Sequence, residues 1–240
     1  LKGVTSDHPA ARSPSPHQAA VWEAIATGPA PRSVVVVAFN KSIATELQSR
    51  VPPGVDAMTM HSLGFRAVRK AFGRLEPNQY VTQDIICDLL GMDIHQARRE
   101  KQVVLKAVED LVDLCKVNLV GETGSSTFSE QLQALASHYD VEVNGCRDEV
   151  FSLVSRVLDA CKSPLKRGKI TFSDMIWLPV VLNLPVSQYD LLLWDEVQDG
   201  SRCQHALALK AGKRLVLVGD ENQANFVFCG EDSDSMANME

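Results

Sequence analysis

No stretch of this sequence approaches the ~20 consecutive apolar residues a helix needs to cross a bilayer, although 45% of its 240 residues are hydrophobic. No membrane association is therefore expected, and no signal peptide opens the chain. None of the six cysteines (Cys87, Cys115, Cys146, Cys161, Cys203 and Cys229) forms a Cys-x-x-Cys pair, and no Cys/His cluster has zinc-binding spacing. That excludes a structural zinc site. The expectation is free, mostly buried thiols in a reducing compartment, and a cytoplasmic location. An initiating methionine is also lacking: the chain opens on Leu1, which places the expected true start upstream. Positive charge is scarce too. Lys and Arg number 24 against 30 Asp and Glu, a net charge of -6. A global basic field for avid nucleic-acid binding is thus missing. No internal repeat is visible.

What is present is an alternation of buried-strand and helix signals in a chain long enough to bury a core without staples. Residues 1–16 are rich in Pro, Ser and Ala and read as an irregular lead-in, followed by a short helix over His17–Ala26. Ser33–Phe39 is a β-branched run of the kind buried on both faces of a parallel sheet. Asn40 or Ser42 can cap a helix running to about Arg50. A second strand is expected at Val55–Thr59, then a helix carrying Arg66, Arg69, Lys70 and Arg74. From about Pro77 to Ala160 the pattern is helical, with Val103, Val104, Ala107, Val108, Leu111, Val112 and Leu114 at helical spacing and a polar break at Gly121–Ser126. Beyond Pro164 come an apolar helix or helix-loop over Phe172–Leu184 broken by Pro179 and Pro185, a strand at Tyr189–Asp195, a helix at 201–211 and a strand at Arg214–Asp220. Such alternation implies an α/β fold with a parallel sheet. The basic clusters, the one above and Lys162, Lys166, Arg167 and Lys169, read by themselves as solvated faces.

Chemistry concentrates where strands end. Leu191–Asp195 is an apolar strand that delivers Asp195 and Glu196 to the carboxyl edge of a parallel sheet, where such sheets bind ligands. An acid there can hold Mg²⁺, a hard cation that favours oxygen ligands. Its neighbour can orient or deprotonate an attacking water. Leu217–Gln223 is a second buried strand ending in a polar turn, and adjacent strand ends would bring Gln223 near the carboxylate pair. A glutamine amide both donates and accepts, so it can sense a terminal phosphate and its water.

These segments resemble the motifs of the UvrD/Rep/PcrA-like superfamily 1 DNA helicases. Asp195-Glu196-Val197-Gln198-Asp199 resembles motif II and Gly219–Gln223 motif III. Ala38–Ser42 with Ala44–Leu47 resembles motif Ia, Thr59–Phe65 motif Ib, and Ile170–Met175 the segment leading towards motif II. Gln18 stands where the family's adenine-reading Q motif lies. The matches run in family order over about 210 residues. The resemblance implies a RecA-like sheet of the P-loop NTPase type with an inserted helical subdomain: residues 1–74 and 166–240 would form the two parts of that domain, and 75–165 the insertion. It implies ATP and Mg²⁺ as cofactors and single-stranded DNA as partner. Asp195 would coordinate Mg²⁺, Glu196 would be the catalytic base, Gln223 would couple the γ-phosphate to DNA, and Gln18 would bind the nucleotide. Phe39, Asn40, Thr59, His61 and Ser62 would line the single-strand track, with Phe226 and Phe228 as aromatics that stack on bases.

The sequence departs from the family at a critical place. A P-loop reads G-x-x-x-x-G-K-[ST], and its backbone N–H groups cradle phosphates. Here Gly168-Lys169 is followed by Ile170 and Gly212-Lys213 by Arg214, so neither completes it. Only Pro29–Arg32 separates Gly28 from the first strand, too little for the strand, loop and helix that relatives place there. That unit is either deleted or missing from this sequence, and a second chain or the missing segment would have to complete the motor. A deletion would remove a central strand, so the remaining sheet must close over the gap or expose apolar faces. Cys229 stands where an arginine is common, and a thiol cannot mimic a guanidinium fork. No second RecA-like domain lies within these residues, so this chain alone is not expected to unwind DNA. The expected function is the N-terminal motor half of an ATP-dependent, 3′→5′ DNA helicase. The alternatives are a non-catalytic, helicase-derived single-strand DNA-binding module and a truncated remnant acting through protein contacts.

Overall fold

The computed structural model describes residues 30–121 and 127–219. The expected helix at His17–Ala26 and the residues Gln18, Gln223, Phe226 and Phe228 lie outside them.

Strand β1 (Val34–Ala38) forms where the β-branched run was read, with Val35 and Val37 fully buried. Asn40 ends it and starts helix α1 (Lys41–Arg50): its backbone is extended and its Oδ1 accepts from the Ile43 N–H at 2.9 Å, satisfying one of the orphan donors of a first helical turn. Strand β2 (Val55–Thr59) runs straight into helix α2 (Met60–Phe72), capped by the Thr59 side chain on the Ser62 N–H. In α2, Met60, Leu63, Gly64, Ala67 and Val68 are buried, the i, i+3, i+4, i+7, i+8 stripe of an amphipathic helix. Arg66, Arg69 and Lys70 fall on its exposed face, so the first basic cluster is a solvated face, with Arg69 lying over the Phe65 ring.

The short strand β3 (Glu76–Pro77) then leads into five helices: α3 (Val81–Leu90), α4 (Ile94–Glu100), α5 (Gln102–Asn118), α6 (Phe128–His138) and α7 (Arg147–Cys161). The chain leaves them through β4 (Lys169–Ile170), which pairs in parallel with β3. This two-stranded clamp, absent from the sequence reading, ties together the two places where the chain crosses into and out of the helices. In the second basic cluster, Arg167 pairs with Asp88 and Lys162 with Asp159. On α5 the buried stripe is Val104, Leu105, Ala107, Val108, Leu111, Val112, Cys115 and Lys116. Val103, read as apolar-periodic, is exposed instead.

Helix α8 (Phe172–Val181) follows, and Pro179 sits inside it rather than breaking it. Proline removes one donor, the N–H that would reach the carbonyl of Met175. Against that carbonyl the α2 backbone approaches at Gly64, where an added Cβ would collide with the Met175 oxygen. Close backbone packing of α2 on α8 thus occurs at the carbonyl that Pro179 leaves without its helical donor. Strand β5 (Leu191–Asp195), helix α9 (Arg202–Ala211) and strand β6 (Leu215–Val218) complete the described fold. The four long strands form one parallel sheet in the order β2-β1-β5-β6, as a RecA-like domain requires. No gap interrupts it, since β1 bonds directly to both β2 and β5. One continuous apolar cluster runs from the sheet through α2 and α8 into the helical block.

Candidate active site and nucleic-acid interface

Because all four strands are parallel, their carboxyl ends share one edge. The register places Ala38 beside Thr59, Val37 beside Trp194, and Asp195 beside Val218. Phe39 and Asn40, Thr59 and His61, Asp195 and Glu196, and Gly219 therefore emerge side by side, from segments far apart in sequence.

At β5 the backbone turns at once. Glu196 has φ 56° and ψ 45°, the left-handed region, which costs a side-chain-bearing residue ~1–2 kcal/mol. A 3-10 turn over Val197–Asp199 follows and holds it: Asp199 N–H donates to the Glu196 carbonyl and Gly200 N–H to that of Val197. Gly200 is pressed against the Trp194 indole, 2.6 Å from where its Cβ would stand. Trp194 in turn meets the buried His205 ring edge-to-face at 5.1 Å. The Glu196 carboxylate is gripped as well. Nε2 of Gln198, a side chain only 2% exposed, donates to Glu196 Oε2 at 2.6 Å. The other end of that amide abuts Gly219, where any Cβ would strike Gln198 Oε1. Gln198 thus bridges the ends of β5 and β6. Asp195 accepts the Glu196 N–H on Oδ1 at 3.1 Å, and its pKa is raised above the usual carboxyl value, first by loss of water and then by the neighbouring Glu196 charge.

At β1 and β2 the edge becomes a cleft of about 470 Å³ lined by Phe39, Asn40, Lys41, Thr59, His61, Ser62, Phe65, Phe172 and Met175. All five described residues expected on a single-strand track line it. Phe39 is 46% exposed and Phe172 57%, unusual for phenylalanines that have a core available. The His61 ring stands edge-on to Phe172, 6.5 Å between centroids, and burial lowers the imidazole pKa, keeping it neutral at neutral pH. The Thr59 and Ser62 hydroxyls lie 3.0 Å apart. A second cavity of about 340 Å³ is lined by Phe39, His61, Lys116, Ser173 and Glu196, among others. The two hollows share Phe39 and His61 as a common wall.

The sequence model of the UvrD/REP helicase N-terminal domain matches residues 18–240. The chain belongs to that family. It is also similar to F-box DNA helicase protein 1 of Schizosaccharomyces pombe (strain 972 / ATCC 24843), 24% identical over 230 residues, which cover 82% of this chain and 23% of that protein. The chain therefore spans about a quarter of the length of this relative.

Within this UvrD/REP domain, sequence reasoning passed over three residue sets. Phe172 was read as the start of an apolar helix; its exposure follows from its place at the first position of α8. Gln198 was read only as part of a motif string. Lys116 was hidden in an apolar stripe. No helix among the described residues is long and apolar enough to cross a membrane. None of them form a group of three or more His, Cys, Asp or Glu able to hold a metal. A cation at this edge would rest on Asp195 and its neighbour, as Mg²⁺ does where waters and substrate phosphates complete its shell. Burial, and after it the neighbouring Glu196 charge, raises the Asp195 pKa, and a bound cation would offset both. The nucleotide's phosphates fit less well, since no Gly-rich P-loop exists in the sequence. Any grip this chain has on them would fall to residues other than a P-loop.

Proposed function

We propose that this chain is the N-terminal part of the motor of an ATP-dependent DNA helicase, holding single-stranded DNA in the Phe39–Phe172 cleft and Mg²⁺ at Asp195. One observation carries the reading: the cleft and the cavity that reaches Glu196 share Phe39 and His61 as lining residues, which gives DNA and nucleotide a common pair of side chains through which to act on each other. Phe39 and Phe172 offer exposed rings on which bases of any sequence stack, worth ~1–3 kcal/mol each. Lys41, Thr59 and Ser62 supply polar groups beside them. On the other side, Glu196 takes a proton from an attacking water on the oxygen that Gln198 does not hold. Bound Mg²⁺ would neutralise charge on the transferring phosphoryl group. The 3′→5′ polarity, the role of Gln223 as coupling residue, the roles of Gln18, Phe226 and Phe228, and a helical insertion at 75–165 in a cytoplasmic enzyme belong to the same proposal and rest on family resemblance.

A second reading is favoured by the missing P-loop: a non-catalytic single-strand DNA-binding module. Calorimetric titration of the purified chain with Mg·ATP separates the two. Saturable, Mg²⁺-dependent binding lost in Asp195→Ala supports the motor; no binding by folded protein leaves the module. In either case binding of oligothymidylate should weaken as salt rises, and salt-insensitive binding would remove both.

A further inference from the structure

The largest fully buried side chain among the described residues is a lysine. Lys116 lies in the last turns of α5 and is 0% exposed, and its Nζ stands 2.8 Å from Oδ1 of Asp174, itself 2% exposed. Thr171 Oγ1 lies 3.5 Å from the same nitrogen, and the Trp177 ring 5.8 Å. Burial alone would drive the ammonium to give up its proton; the Asp174 carboxylate outweighs that and raises its pKa, so Lys116 keeps its charge.

An ion pair so deep is poor value as simple stabilisation, because apolar residues of similar volume often serve a fold as well or better. What distinguishes this one is its address. Asp174 is the third residue of α8, and its Oδ2 accepts the Thr171 N–H at 3.0 Å while Thr171 Oγ1 accepts the Asp174 N–H at 3.2 Å. That reciprocal capping box fixes the first turn of the helix. One carboxylate thus caps α8 with one oxygen and binds α5 with the other. One turn back along α5, Asp113 Oδ1 accepts from Ser173 Oγ at 2.9 Å. Three polar residues, Thr171, Ser173 and Asp174, are tied to α5 or to the cap. The residue they enclose, Phe172, is the one left facing outward against His61.

We infer that Lys116 is a positioning residue for the single-strand track. It docks the helical block on the first turn of α8 and so fixes the angle at which Phe172 meets His61 across the cleft. Lys116 touches no nucleic acid and acts through Asp174. This rests on the reading of Phe172 as a base-stacking surface.

The test uses the whole chain, a fluorescein-labelled oligothymidylate and anisotropy, with thermal melting alongside. Phe172→Ala tests the underlying reading: affinity should fall about tenfold, and unchanged affinity overturns that reading and with it this inference. Lys116→Met/Asp174→Leu replaces the pair by apolar groups and frees the cap. It should melt near the parent yet lose affinity about as much as Phe172→Ala. Adding Phe172→Ala to it should weaken binding no further, because both act through one ring. Parental affinity in the folded pair variant, or losses that simply add, would overturn the positioning role while leaving the stacking role intact. If the pair variant fails to fold, Lys116→Met/Asp174→Asn, whose amide oxygen still accepts the Thr171 N–H, must give the same non-additive loss; additive or absent loss there overturns the inference equally.

Discussion

Gly64→Ala should damage this domain out of proportion to one methyl group. Gly64 sits mid-helix in α2, where alanine is intrinsically preferred by ~1 kcal/mol, so on an open helix the substitution would stabilise. Here the new Cβ would stand 3.1 Å from both the Met175 carbonyl carbon and Leu207 Cδ2, and closer still to the Met175 oxygen. The obstacle is backbone, so no rotamer change relieves it, and α2 must move off α8. Overpacking of this kind costs about 1–3 kcal/mol or more. Taking the upper end because the clash is rigid, and subtracting the helix gain, leaves about 2 kcal/mol of destabilisation, or roughly 4–8 °C in Tm for a domain of this size. The same displacement separates His61 on α2 from Phe172 on α8, so oligothymidylate affinity should fall with it. Circular dichroism melting and anisotropy measure the two effects. A Gly64→Ala chain that melts at or above the parent would refute the reasoning, because the two helices would then be free to separate without loss.

Two pH-linked outcomes follow from the site. The raised Asp195 pKa means that its ionised form works against the fold at neutral pH, a penalty that vanishes as pH falls through the folded-state value. Asp195→Asn should therefore raise the Tm at neutral pH, less so in acid, while abolishing any Mg²⁺-dependent nucleotide binding; calorimetry reads both, and a lowered neutral-pH Tm would contradict it. For His61 the sign is opposite: its lowered pKa gives stability that is present above 6.5 and lost as pH falls through the folded-state value. An NMR titration should place its midpoint below 6.5, and Phe172→Ala, by admitting water to the ring edge, should move that midpoint upward.

Strand β2 forms over the residues where a second short strand is expected, and β1 and β5 lie within their expected ranges. Long buried strands announce themselves because every residue must be apolar on both faces. The Asp195–Glu196 turn was legible for the same reason: polarity begins abruptly where the apolar run stops. What escaped was set by tertiary context. The β3–β4 clamp has two residues per strand and no period to detect. Pro179 reads locally as a breaker, but burial of α8 carries the helix past it, one lost donor being cheaper than lost packing. Lys116 and Asp174 each look ordinary alone, and only the fold brings them within 2.8 Å. Phe172 carries no sequence mark that separates an exposed phenylalanine from a core one.

The backbone of Glu196 offers the sharpest test of whether the carboxylate turn is built for a purpose. Left-handed geometry at a residue with a side chain survives only where its surroundings dictate it, and here they do: Gln198 holds the carboxylate, and Gly200 packed on Trp194 sets the turn. Substituting Glu196 by Ala or by Gly removes the Gln198 contact equally. The two variants then differ only in a Cβ, which helix propensity would favour and a left-handed residue would resist. Glu196→Gly should therefore be more stable than Glu196→Ala by about 1 kcal/mol, measured by urea unfolding, with neither supporting hydrolysis in a completed motor. If alanine proves equal or better, the turn relaxes once the carboxylate is gone, and the strain belongs to the Gln198–Glu196 contact. If glycine wins, the backbone turn is set independently of the side chain it presents. A turn that keeps a strained glutamate where a glycine would fit more comfortably favours a motor that uses that carboxylate over a module that merely inherited it.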